Sequence, residues 1–141
     1  MLAINHTFEH TVLKSRQWVD EVGKELGITD PDRAFRALRA GLHAIRDWLP
    51  QGEAIALGAQ LPMLIRGLYY EGWKIGKPHG RARDSIYAAV RRELSGDSAT
   101  ASHVLATVIR VLAGHVSHGE VDHIIHVLPK PIAEVWEEAM S

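Results

Sequence analysis

The spacing of apolar residues is helical along almost the whole chain. Phe8, Val12, Val19, Val22 and Leu26 recur at intervals of three, four or seven, which places them on one stripe of a long first helix. No segment alternates apolar and polar residues with the period of two that a half-buried strand shows. The pattern therefore predicts an all-α protein, with this stripe facing the core.

Capping and helix-breaking residues divide the pattern into about eight helices. Thr29 or Asp30 can cap the second helix, and Pro50 ends it. Ser117 and Glu120 have the spacing of a capping box that opens the seventh helix. The core positions predicted on the second and fourth helices are Phe35, Leu38, Leu42, Ile45, Leu49, Leu64, Ile65 and Leu68.

The chain shows an internal similarity at a constant offset of 67. Residues 34–73 align with residues 101–140 without a gap, and a Gly-Glu pair and a Leu-Pro pair coincide in that register. Helical periodicity aligned with itself by chance is the alternative. We predict two related four-helix units within one compact domain, at 1–73 and 81–141, joined by a linker at 74–80.

Composition narrows the functional class. With 16 Lys+Arg against 17 Asp+Glu, the 141-residue chain has no net field to attract nucleic acid or an anionic membrane. The absence of cysteine excludes disulfides and thiolate metal sites. No apolar run has the length of a membrane span, and the first residues do not form a secretory signal. We expect a cytoplasmic protein with no cofactor, no membrane contact and no nucleic-acid partner.

Several segments resemble the bacterial family called Domain of Unknown Function 2267. The most specific is QLPMLIRGLYYEGW at 60–73, which follows the similar segment 33–47. The resemblance extends to His10, Lys14 and Trp18, and to the late Gly-Glu, Leu-Pro and Trp136. It implies a small all-helical protein with a globin-like arrangement of helices. It implies no reaction, cofactor or catalytic residue.

The fourth helix carries apolar and aromatic residues on most of its sides. Such a helix is either buried centrally or presents a binding surface, because Trp, Tyr and Arg dominate interface energetics. Guanidinium groups beside aromatic rings also suit stacking or an anionic ligand. The candidate ligand or partner surface comprises Arg66, Tyr69, Tyr70 and Trp73, with Arg39, His43 and Arg46 from the second helix.

Histidines supply the alternative candidate, a metal site made of His115, His118, His123 and His126. Helical geometry points His123 and His126 away from the core, which favours an exposed polar face. His6 to His10 matches the H-x-x-E-H pattern of some zinc proteases, a short pattern that arises often by chance. His43 is a haem ligand only if the globin likeness is functional.

No set of residues converges on a known reaction. No phosphate-binding loop, dinucleotide fingerprint or nucleophile elbow occurs in the chain. The sequence therefore predicts a non-enzymatic module that acts through self-association or a protein partner. The alternative is a protein that binds a metal or small ligand through the His-rich second unit or the Arg/Tyr/Trp cluster.

Overall fold

The computed structural model describes residues 2–76 and 80–141, and within these ranges it is all-helical, without strands. This confirms the predicted fold class. Residues 77–79 of the predicted linker lie outside the described residues. The helices are α1 Leu2–Leu26, α2 Pro31–Asp47, α3 Gln51–Ala59, α4 Met63–Tyr70, α5 Arg83–Glu93, α6 Ala101–His115, α7 His118–Val127 and α8 Lys130–Met140.

Side-chain caps fix two of the helix starts. The Asp30 side chain accepts a hydrogen bond from the N–H of Asp32 at 3.0 Å, at the start of α2. The Ser117 hydroxyl accepts from the N–H of Glu120 at 3.2 Å, at the start of α7. The reciprocal half of the capping box is not formed, because the N–H of Ser117 donates instead to Oε1 of Gln60 at 3.0 Å. Burial and the nearby charge of Glu53 raise the pKa of the Glu120 carboxyl.

The fourth helix is shorter than its apolar pattern suggests. It ends at Tyr70, and Gly72 has a φ of 71°, a left-handed conformation that suits glycine. Trp73 therefore lies beyond the helix, where its ring stacks on Tyr70 at 5.6 Å between centroids. The chain reversal at Gly72 brings this short segment back against α4.

The two halves of the chain share one hydrophobic core. Trp18 and Tyr69 from the first half and Trp136 from the second are among the largest fully buried side chains, and all belong to one cluster. Helix α2 packs against α1 and α4 and also against α5 and α6. The halves are thus interleaved around a common centre.

The crossing of α2 and α6 is unusually close. A Cβ added at Gly41 would lie 2.5 Å from Cγ2 of Val108, well inside van der Waals contact. Both positions are buried. Glycine is therefore required at this crossing for packing, since it lets the two helix backbones approach.

Several apolar residues predicted to be in the core are exposed. Phe8 is 57% exposed and Val12 is 38% exposed; both lie in the first half of α1, where residues 3–10 are all exposed. Phe35 is 44% exposed and Leu64 is 51% exposed, on the outer sides of α2 and α4. Periodicity shows which face of a helix is apolar, but it does not show how much of that face the neighbouring helices cover.

None of the described helices combines the length and the apolar character required to cross a bilayer.

Candidate functional site

The predicted aromatic surface is largely internal. Tyr69 is fully buried, and its hydroxyl donates to the carbonyl oxygen of Ala54 at 2.7 Å. Burial raises the pKa of the Tyr69 hydroxyl well above its ordinary value. Tyr69 therefore ties α4 to α3 from inside the core.

Tyr70 also packs between helices. Its ring meets Tyr69 edge-on at 5.0 Å between centroids and covers Gly58 of α3. A Cβ at Gly58 would lie 2.2 Å from the Tyr70 hydroxyl oxygen, so the ring occupies the space that a side chain there would need. Tyr70 is half-buried. Its contacts on the buried side are those of a packing residue.

Two arginines of the predicted surface donate hydrogen bonds to carbonyl groups at the ends of helices. Arg66 donates from Nε to the Gly58 carbonyl at 2.9 Å and from Nη2 to the Leu61 carbonyl at 3.0 Å, at the end of α3. Arg46 is 4% exposed and donates from Nη1 to the carbonyl of Tyr69 at 3.0 Å, at the end of α4. The last carbonyls of a helix have no partners within the helix, and these guanidinium groups supply them.

His43 and Arg39 join α2 to its neighbours. His43 is 5% exposed, with Nδ1 2.7 Å from Oε1 of Glu93 and Nε2 2.8 Å from the Leu68 carbonyl oxygen. Both ring nitrogens are thus engaged, which leaves none for a haem iron. Arg39 donates from Nε to Glu71 at 2.8 Å, and this bond lowers the pKa of the Glu71 carboxyl. Burial therefore excludes His43, with Arg46 and Tyr69, from direct contact with a partner.

The four candidate histidines do not converge. His115 has Nε2 2.7 Å from Oε2 of Glu21 on α1, while His123 has Nε2 2.8 Å from Oε1 of Glu53 on α3. His118 and His126 are exposed. Over residues 2–76 and 80–141, no three His, Cys, Asp or Glu side chains are grouped so that they could hold a metal ion. The same applies to the exposed His6, Glu9 and His10 of the short protease-like pattern.

The first turns of α1 carry an uncovered apolar face. Ile4, Phe8, Thr11, Ser15, Trp18 and Val22 follow one another at intervals of four and three, so they share one side of the helix. Thr11, Ser15, Trp18 and Val22 are buried, but Ile4 is 54% and Phe8 is 57% exposed. The N–H of Leu64 donates to the Thr11 hydroxyl at 3.3 Å, which places the start of α4 beside this face. We call Ile4, Phe8, Met63 and Leu64 the overhang patch.

A cleft opens between α1, the start of α4 and the end of α6. It has a volume of about 420 Å³, and no Asp or Glu lines it. Trp18 and His115 form one wall, with their rings stacked at 4.6 Å between centroids. We call it the α1–α4 cleft; its lining residues are Thr7, His10, Thr11, Lys14, Trp18, Gln60, Leu61, Pro62, Met63, Arg66 and His115.

Fold and surface together define a small all-helical protein with one shared core and two uncovered features, the overhang patch and the α1–α4 cleft. Residues 15–135 match the model of the family described as "Uncharacterized conserved protein (DUF2267)", so the chain belongs to this family. The family predicted from the sequence is thus confirmed. No curated protein matches the chain. Ile4, Phe8 and Lys14 precede the matched segment, which includes Trp18 and Arg66.

Sequence reasoning missed Lys14 and Trp18 as cleft residues. His10, Lys14 and Trp18 follow one another at intervals of four, so they lie along one flank of α1. This spacing is the sequence signal that could have indicated a shared flank of α1. Only the packing of α1 against the α3–α4 turn shows that this flank faces Arg66 across a cleft.

Proposed function

We propose that the protein is a non-enzymatic module that acts by self-association, and that two copies pair through the overhang patch. The supporting observation is the side of α1 shared by Ile4, Phe8, Trp18 and Val22. This side belongs to the core over its second half and lies uncovered over its first. Contiguous exposed apolar surface is typical of interaction sites.

A second copy of the chain is the occupant that this face fits best. Its intervals of four and three are those by which two helices pack at a shallow angle. In a two-fold pair, the same surface serves both partners, so the Ile4–Phe8 face of one copy can cover Met63 and Leu64 of the other. A single apolar face then suffices, and no separate partner surface is needed.

The decisive experiment compares two phenylalanine variants by sedimentation equilibrium. Phe8→Glu is expected to shift the protein to a monomer, because each dimer would bury two uncompensated carboxylates. Phe35→Glu is the matched control, since Phe35 is similarly exposed on α2. It is expected to leave the dimer intact. A monomeric wild-type chain would refute the proposal, and equal dissociation by both variants would refute the assignment to the overhang patch.

We also propose that the two halves are related by the internal repeat. Helices α3 and α7 start at Gln51 and His118, and α4 and α8 at Met63 and Lys130; each pair of starts differs by 67. At the crossing of α2 and α6, Gly41 faces Val108, its own equivalent in that register. A residue that faces its own equivalent lies on a two-fold axis, which supports a pseudo-two-fold relation between the halves.

A further inference from the structure

We infer that the α1–α4 cleft binds a small amphiphilic anion, with an acidic head group and an apolar body. This ligand site differs from the surface by which we propose that two copies pair, although Met63 belongs to both. The cleft draws its walls from α1, α4 and the end of α6, and its volume of about 420 Å³ suits a small molecule.

The charges around the cleft favour an anion. Lys14 on α1 and Arg66 on α4 both line the cleft. Glu21, which bonds His115 at 2.7 Å, lies outside the lining. A cleft lined by a lysine and an arginine, with no carboxylate among its described lining residues, attracts negative charge.

Lys14 and Arg66 both have hydrogen-bond donors that no described residue uses. Lys14 makes no hydrogen bond or ion pair with any described residue, and its ammonium carries three donors. Arg66 uses Nε and Nη2 on the end of α3 but leaves Nη1 without a described partner. These contacts hold the guanidinium in place, so Arg66 needs little further ordering to bind an acidic group.

The rest of the lining favours an apolar body. Leu61, Pro62 and Met63 line the cleft at the α3–α4 turn, and the stacked rings of Trp18 and His115 also belong to its lining. Met63 is 54% exposed, so part of this apolar surface meets solvent when the cleft is empty. Covering it with a hydrocarbon chain or an aromatic ring gains the free energy of burying apolar area.

The test uses three probes against the full-length protein by isothermal titration calorimetry: octanoate, octanol and inorganic phosphate. Octanoate is expected to bind saturably at one site per chain. Octanol lacks the charge and phosphate lacks the apolar body, so both are expected to bind more weakly. Octanoate that does not bind, or that binds no more tightly than octanol, would overturn the inference.

A pair of lysine variants locates the site. Lys14→Gln is expected to weaken octanoate binding about fivefold, the loss of a partly exposed ion pair, and to leave octanol binding unchanged. Lys24→Gln, at the other end of the same exposed side of α1, is the matched control and should bind like the wild type. Arg66 is left intact because it caps α3. Equal affinities in the two variants would place the site elsewhere.

Octanoate binding and self-association can be tested independently of each other. Phe8 does not line the cleft, so the uncharged variant Phe8→Ser, which removes the apolar contact of the pair without adding a charge, is expected to bind octanoate with unchanged affinity. A monomeric wild-type chain that binds octanoate would refute the proposed pairing and leave the cleft assignment standing. Loss of octanoate binding in Phe8→Ser would show that the ligand site depends on the dimer, which contradicts the cleft as inferred.

Discussion

At the scale of single residues, the role of a glycine depends on what lies beside its missing side chain. Gly41 allows α2 to approach Val108 on α6, whereas Gly67 of α4 has open space where a Cβ would stand. The same residue type therefore has opposite consequences at the two positions. In the first, the missing side chain is a packing requirement; in the second, it costs helix stability for no gain in contact.

Gly41→Ala is expected to destabilise the protein by about 1–3 kcal/mol, because the added methyl overpacks the crossing with Val108. Gly67→Ala should instead stabilise it by about 0.5–1 kcal/mol through helix propensity and a less flexible unfolded chain. Urea unfolding of both variants gives the comparison. The double variant Gly41→Ala/Val108→Ala is expected to recover part of the loss, and a Gly41→Ala chain as stable as the wild type would contradict the close crossing.

At the scale of elements, one ion pair connects the first turn of α2 to the α5–α6 turn. Arg33 donates from Nε to Oδ2 of Asp97 at 3.0 Å and from Nη2 to Oδ1 at 2.8 Å, a two-bond pairing. Asp97 also accepts from the N–H of Ala99 at 3.0 Å. The bonds from Arg33 and Ala99 lower the pKa of the Asp97 carboxyl from 3.8 to about 2.

This lowered pKa predicts a pH dependence of stability. A carboxylate whose pKa is depressed in the folded state stabilises the fold above its unfolded pKa of 3.8, and the contribution is lost as pH falls toward about 2. Asp97→Asn is therefore expected to be less stable than the wild type at pH 7. The gap in unfolding free energy between the two should close between about pH 4 and pH 2.

Asp122→Asn is the control for this comparison, because Asp122 is exposed on α7. Its stability should follow that of the wild type across the titration, measured by urea unfolding at each pH. A constant gap between Asp97→Asn and the wild type down to pH 2 would contradict the assignment.

At the scale of the whole molecule, the two halves share one core. The core cluster takes side chains from both halves, and α2 contacts α5 and α6 as well as its own neighbours. Neither half therefore has a complete core. We therefore expect that neither half of the chain folds by itself.

Fragments 1–76 and 80–141 test this expectation. Each alone should show little helix by circular dichroism, because separation exposes the surfaces that α2 and α6 bury against each other. An equimolar mixture is expected to regain helix, since the missing contacts are restored. A fragment that unfolds cooperatively by itself would instead make that half an independent domain.

Local features of the chain were predictable from the sequence because local forces decide them. The caps at Asp30 and Ser117 and the apolar stripes depend on residues within a few turns of each other. The all-α fold class followed from the same patterns, whereas the family followed from the resemblance of segments such as 60–73. The site did not, because a stripe shows which side of a helix is apolar but not what covers it.

The sequence by itself determined that the chain forms helices, roughly where they begin and end, and which side of each is apolar. Only the tertiary structure decided that Phe8 is uncovered while Trp18, on the same face of α1, is buried. It also decided that Arg46 and Arg66 complete the ends of α4 and α3. The physical reason is range: helix formation is settled by neighbours in sequence, whereas burial and the partner of a guanidinium depend on helices that are distant in the chain.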